Sequence, residues 1–184
     1  MYGLTHAHWG FATINSDFSV GIQDTANQLP GFLSIGAKKI VSFGGWGYST
    51  EPATYNILRN AMNPSNVDKF VTNIVNFLNS KGFDGVDIDW EYPGVSLSSP
   101  TYSSYNSLTR HKAPDIPGIP AGLVTDGPNY LTFLKKLRSK LPSGKSMSIA
   151  APASYWYLKA FPISDMASQV DYIVFMTYDL HGMY

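Results

Sequence analysis

Cysteine is absent from this 184-residue chain. That excludes a disulfide framework and any metal site built on thiolates, and it leaves the redox compartment unread. Net charge is missing as well, because thirteen Lys and Arg balance thirteen Asp and Glu. Without a basic stripe or an acidic tail, neither nucleic acid nor an anionic membrane surface is an expected partner. No apolar run approaches the length of a membrane span. The opening Met1-Tyr2-Gly3-Leu4-Thr5-His6 lacks a charged segment followed by an apolar one, so no signal peptide is expected in this chain. Four histidines are present, but none is spaced with nearby acids as a metal-ligand pair, and a solvent-exposed or core position is expected for each. No cofactor and no metal ion is expected.

Aromatic residues are abundant instead: twelve Tyr, ten Phe and four Trp. With 44% hydrophobic and 14% charged residues the chain can bury a core as one globular domain, a monomer if it folds. A core of this size does not require so many rings. Interior packing accounts for part of them, and planar rings that stack on sugar faces would use the rest. A neutral polysaccharide substrate is compatible with the charge balance.

The stretch Phe83 to Glu91 carries acids at Asp84, Asp87, Asp89 and Glu91 within an apolar run. On a β-strand the side chains alternate, so Asp87, Asp89 and Glu91 share one face while Val86, Ile88 and Trp90 take the other. Neighbouring Cβ atoms on one face lie roughly 6 to 7 Å apart, close enough for carboxyls to couple and for one of them to hold its proton towards neutral pH. Desolvating three acids brings no gain to folding. A carboxylic acid kept protonated near neutrality is what general acid catalysis needs. Asp84 has the opposite parity, and a structural role at the strand entry, bonding backbone donors, is expected for it. A Mg2+ or Ca2+ site is the rival for these acids. A rigid period-2 row, however, does not wrap an ion as a ligand loop does.

The pattern D-x-x-D-x-D-x-E ending in Glu91 and followed by Tyr92-Pro93-Gly94 resembles the signature of glycoside hydrolase family 18, the chitinase family. Ser42-Phe43-Gly44-Gly45-Trp46 resembles that family's S-x-G-G segment on the preceding barrel strand, and Met176-Thr177-Tyr178-Asp179 resembles its M-x-Y-D segment two strands later. Thr5-His6, Phe11 and Ala150-Ala151-Pro152-Ala153 fall where such chitinases carry related residues. The run from Ser148 through Gly182 is most similar to the fungal branch, and nearly the whole chain is covered.

The elements agree with an α/β reading. β-type runs alternate with amphipathic helices, which argues for βα units and a parallel sheet of about five strands. Strands are predicted over His6 to Ile14, Lys39 to Gly44, the acidic run, Ser146 to Ala151 and Tyr172 to Tyr178. Helices are predicted near Pro52 to Met62, from Val67 to Ser80 with Gly82 as its stop, and from about Pro128 to Lys140 capped by Asp126. The resemblance makes these strands two to six of a (β/α)8 TIM barrel, and residues 1–184 a partial catalytic domain. A complete barrel takes about 250 residues. The first strand and the last two are expected to be missing, including a Trp on the last strand that floors the subsite beside the cleaved bond. An open remnant would expose two sheet edges. Related fungal sequences also pass almost directly from Gly94 to Ala113. The intervening Val95 to Lys112 is Ser-rich, has no helical or strand period and reads as a disordered loop. Val codons begin with GT and one Lys codon ends with AG, so eighteen in-frame codons read as a retained intron. The alternative is a true loop insertion beside the site.

The resemblance implies hydrolysis of β-1,4 N-acetylglucosamine linkages in chitin or chito-oligosaccharides, with retention and with help from the substrate's acetamido group. Glu91 would be the general acid, Asp89 would orient and polarise the acetamide, and Asp87 would share a proton with Asp89. Tyr178 would bond the same acetamide and Asp179 the sugar. Trp46, Phe11, Tyr92 and Met176 would wall the pocket, while Ser42, Gly44, Gly45 and Asp84 would support it, with Ser42 bonded to Asp87. An extracellular full-length parent would hydrolyse chitin, and this chain alone would be weak or inactive. A lectin-like chitin-binding protein without hydrolysis, or a nonfunctional fragment of a chitinase gene, are the alternatives. A family member acting on N-glycan cores is not separated from a chitinase by sequence.

Overall fold

A computed structural model describes residues 3–94 and 125–178. Val95 to Lys112, expected as an insertion, and Asp179 lie outside the described residues. Six strands form one sheet in the order β2-β1-β3-β4-β5-β6. They are β1 (His6–Ile14), β2 (Val20–Gly21), β3 (Lys38–Gly44), β4 (Gly85–Asp89), β5 (Ser146–Pro152) and β6 (Tyr172–Met176). Five of them run parallel, as predicted, and the short β2 turns back antiparallel on the end of β1. The helices are α1 (Leu29–Leu33), α2 (Trp46–Thr50), α3 (Tyr55–Ala61), α4 (Val67–Lys81), α5 (Asp126–Lys140), α6 (Tyr155–Leu158) and α7 (Ile163–Ala167). This is the α/β pattern of an incomplete TIM barrel.

Helix α4 forms because Val67, Phe70, Val71, Ile74, Phe77 and Leu78 recur at helical spacing, and all six are buried. It stops at Gly82, whose φ of 73° needs no Cβ and whose N–H closes on the Leu78 carbonyl. That face meets Val41, Phe43, Val86 and Ile88 of the sheet and α5, where Phe70 stacks on Phe133 at 5.3 Å. Each fully buried ring or branched side chain contributes about 1.5–3 kcal/mol. The opposite sheet face is the barrel interior. Parallel register draws Ser42, Asp87, Ser148 and Tyr172 into one row across β3, β4, β5 and β6.

Several boundaries differ from the sequence prediction, among them that of β6, which ends at Met176 and not at Tyr178. The helix expected near Pro52 to Met62 is α3, over Tyr55–Ala61, and an unpredicted short helix, α2, precedes it and ends where Glu51, before Pro52, is extended at φ −76° and ψ 142°, as a residue before proline prefers. Helix α5 starts at Asp126, with Thr125 as N-cap and no side-chain cap bond. Asp126 does not cap the helix; its carboxylate accepts Arg59 Nε at 3.0 Å and the Gly94 N–H at 2.9 Å, tying α3 and the segment after the acidic strand to α5. Strand β4 ends at Asp89, so Glu91 lies beyond the ladder that aligns Asp87 and Asp89. At the β6 edge, Val174 and Phe175 are 38% and 60% exposed, apolar surface that no described element covers. No helix among the described residues is long and apolar enough to cross a membrane.

Candidate active site

Asp87 and Asp89 point into the interior from β4, and both are buried. The two oxygens of Asp87 are each satisfied by a hydroxyl: Ser42 Oγ donates to Oδ2 at 3.0 Å and Ser148 Oγ to Oδ1 at 2.6 Å. His8 Nδ1 lies 3.7 Å from Oδ2. Asp89 is treated differently, since its Oδ1 is buried without a hydrogen-bond partner among the described residues. Burial, then the charges of Glu91 and Asp87, push its carboxyl up to about 7. An unsatisfied buried oxygen costs about 1–3 kcal/mol.

Glu91 is positioned by its backbone, whose N–H donates to Ser49 Oγ of α2 at 3.0 Å. Its carboxyl hydrogen-bonds the Tyr92 side chain, and burial followed by that charge raises the Tyr92 hydroxyl. Beneath β4, the Tyr130 hydroxyl of α5 donates to the Ile88 carbonyl, fixing the strand end from the core side. The turn after β3 is held by the Gly45 N–H on the Asp89 carbonyl at 2.8 Å.

Around the acids stands an aromatic rim. The β1–β3 register skips at Phe11, a bulge that sends its ring against Gly45, where a Cβ would meet the ring at 2.8 Å. Trp46 opens α2, is 52% exposed and meets Tyr92 edge-on at 6.5 Å. Tyr92 stacks on Tyr157 at 4.3 Å. Met176 ends β6 buried, its carbonyl accepting the Ala153 N–H. Tyr178 is not brought in: it is 76% exposed two residues beyond β6, and among the described residues no hydrogen bond joins it to Asp89. Asp84 sits at the strand entry and takes the Lys39 N–H at 2.9 Å and its ammonium at 3.0 Å. Burial opposes its charge there, but the Lys39 contacts outweigh it and hold the carboxyl low.

Sequence reading missed His8, Ser49, Ser148, Tyr157 and Tyr172. Ser148 was within reach, since it has the interior parity of β5 directly beside Asp87. The other four depend on how the sheet curls and where α2 and α6 lie. Among the described residues, no group of three or more His, Cys, Asp or Glu side chains is placed to hold a metal ion.

The raised carboxyl has a stability signature. Asp89 binds its proton more tightly in the folded chain than in the unfolded one, so stability is greatest below about pH 4 on this account and falls as pH rises to about 7. At about 1.4 kcal/mol per unit the fall reaches at most about 4 kcal/mol. Urea unfolding from pH 4 to 8 is expected to show this slope in the wild-type chain and to lose it in Asp89→Asn. Equal slopes in both proteins would remove Asp89 as its source.

The model of the family described as glycosyl hydrolases family 18 matches residues 1–184. A secreted chitinase, LysM12, of Penicillium expansum is 50% identical over 183 residues, 98% of this chain and 11% of that protein. The killer toxin subunits alpha/beta of Kluyveromyces lactis are 51% identical over 179 residues, 96% of this chain and 14% of theirs. The chain thus spans only a small part of these relatives. Among solved structures, catalytic domain 2 of the Group II chitinase of Ostrinia furnacalis superposes with a TM-score of 0.72 at 26% identity, over 97% of this chain and 44% of that one.

Proposed function

The chain belongs to glycosyl hydrolases family 18, and from that premise we propose that it carries the acid cluster with which a longer, secreted parent hydrolyses β-1,4 N-acetylglucosamine linkages in chitin. The observation that carries this reading is the buried, unpartnered Oδ1 of Asp89 beside Glu91, with its carboxyl raised to about 7. An acetamide N–H is a matching donor for that oxygen. As the acetamide carbonyl oxygen attacks the anomeric carbon, the nitrogen gains positive charge, which a carboxylate at Asp89 stabilises while Glu91 gives its proton to the leaving oxygen. The Asp89 proton then needs a place to go, and Asp87 is the neighbouring carboxylate. Glu91 afterwards takes a proton from the water that opens the oxazolinium-like intermediate, so configuration is retained. Phe11, Trp46 and Tyr92 form the sugar-facing rim, and Ser42, Gly44 and Gly45 hold the acids from β3. The names of two relatives support the reading, a secreted chitinase at 50% identity and a chitinase domain among the structural neighbours.

Incubated with chito-oligosaccharides and with cello-oligosaccharides of the same length, the chain is expected to cut only the former, slowly, because cellulose has no acetamide. Cutting of cello-oligosaccharides would overturn the acetamide mechanism. Cutting of neither would overturn hydrolysis by this chain.

A further inference from the structure

We propose that Asp126 is a positioning residue for Glu91, its buried carboxylate holding the Gly94 N–H and thereby the segment that carries Glu91 away from the sheet. Strand β4 ends at Asp89, so the ladder does not reach that segment. Helix α5 reaches it at two points one turn apart. The Tyr130 hydroxyl donates to the Ile88 carbonyl at 3.2 Å, with the Tyr130 ring 5.6 Å from that of Trp90, and Asp126 Oδ2 accepts the Gly94 N–H at 2.9 Å. Residues four apart on a helix lie on one face. A single face of α5 therefore brackets residues 88 to 94, with Asp89 and Glu91 between the two contacts. Within that span the Glu91 N–H is held by Ser49 Oγ of α2 at 3.0 Å.

The carboxylate is itself fixed. Asp126 is 1% exposed. Arg59 Nε of α3 donates to both of its oxygens, at 3.2 and 3.0 Å, while Arg59 Nη1 donates to Asn56 Oδ1 at 2.9 Å. Gly127, the next residue of α5, has no room for a Cβ, which would lie 2.1 Å from the Ala160 carbonyl oxygen and 3.3 Å from Pro162 Cδ. The first turn of the helix is thus seated against that segment, and Asp126 is held in place with it. Core stability alone does not call for this arrangement, because burying an ion pair costs desolvation that an apolar pair of similar volume avoids. What the ion pair supplies, and an apolar pair does not, is an acceptor aimed at a backbone N–H beyond the end of the strand. The consequence for the reaction rests on the reading of Glu91 as its general acid. Such an acid must stay within hydrogen-bond reach of the leaving oxygen, and a misplacement of about 1 Å costs up to about 10²-fold.

The test replaces the ion pair by one that packs but cannot accept a hydrogen bond. Arg59→Met combined with Asp126→Leu is expected to keep the stability of the chain in urea. Amide hydrogen exchange at Gly94 and at Glu91 is nevertheless expected to rise about tenfold or more, the worth of a hydrogen bond to a charged acceptor. The amides of Val86 and Ile88, in a strand paired on both sides, should exchange as in the wild type. Faster exchange at Gly94 alone would overturn the proposal, because Glu91 would then not depend on Asp126. Equal rises at Val86 and Ile88, or no rise at all, would overturn it too. If the double variant does not fold, Asp126→Asn decides: its amide oxygen is a weaker acceptor, so a smaller rise is expected at the same two amides, and unchanged exchange at Glu91 refutes the role. In chito-oligosaccharide hydrolysis the double variant should lose about 10- to 100-fold in kcat with KM nearly unchanged. A higher KM with kcat intact would count against positioning of the acid. Exchange requires no turnover, so an inactive wild-type chain would refute the hydrolase reading and leave the link from Asp126 to Glu91 to be decided by the amides.

Discussion

Glu91→Gln is expected to lower release of N-acetylated oligosaccharides from chitin by about 10² to 10⁴-fold, the usual worth of a positioned general acid. That corresponds to about 3–5 kcal/mol of barrier. The amide keeps the volume of the carboxyl and leaves the Glu91 N–H on Ser49 Oγ, so the fold should persist. What it removes is the proton for the leaving oxygen. Asp89→Asn should also slow the reaction, but for another reason: the amide can still bond an acetamide, yet it cannot answer the positive charge that grows on the nitrogen. The two variants therefore separate by substrate. An activated aryl leaving group needs little protonation and should recover much of the loss in Glu91→Gln, and none in Asp89→Asn. Release that is unchanged in Glu91→Gln would refute the role of that residue.

What was legible in the sequence was whatever a single strand or helix encodes by its own period. The alternation Val86, Asp87, Ile88, Asp89 fixed which side faces the helices and which the interior, and the stripe from Val67 to Leu78 fixed α4 almost to the residue. Motif spacing placed Ser42 and Asp87 on adjacent strands, and the structure bonds them at 3.0 Å. The rest required geometry between elements. His8 and Tyr172 lie 164 positions apart on strands that do not pair, and they meet only because the sheet curls. Phe11 reaches Gly45 through a bulge that no alternation rule anticipates. The capping sense assigned to Asp126 changed because the helix already begins at that residue, with Thr125 as its N-cap, and its carboxylate accepts Arg59 Nε and the Gly94 N–H. The M-x-Y-D resemblance pointed Tyr178 at the acids, whereas here it stands exposed past the last ladder bond of β6.

Gly44→Ala is expected to destabilise the chain by more than about 4 kcal/mol, a size reserved for backbone clashes and lost core. Gly44 ends β3 with φ 111°, a region that an L side chain rarely adopts, and a Cβ there would lie 2.0 Å from the Asp89 carbonyl oxygen and 2.8 Å from its carbon. Backbone cannot swing aside as a lysine tip can. Relief requires β3 and β4 to part at their C-terminal ends, which breaks the Gly45 N–H bond to the same carbonyl and lifts Asp89 away from Glu91 and Asp87. The substitution should therefore remove activity even where folding is rescued by low temperature or osmolyte. Gly36→Ala is the matched control, because a Cβ there meets nothing within 4 Å and its φ is unremarkable for an L residue. Its effect should stay within about 1 kcal/mol, of either sign. Urea unfolding of the two variants beside the wild type measures both. A Gly44→Ala chain as stable as Gly36→Ala would mean that the strand ends are not locked together, and with them would go the claim that this glycine sets the position of the acids.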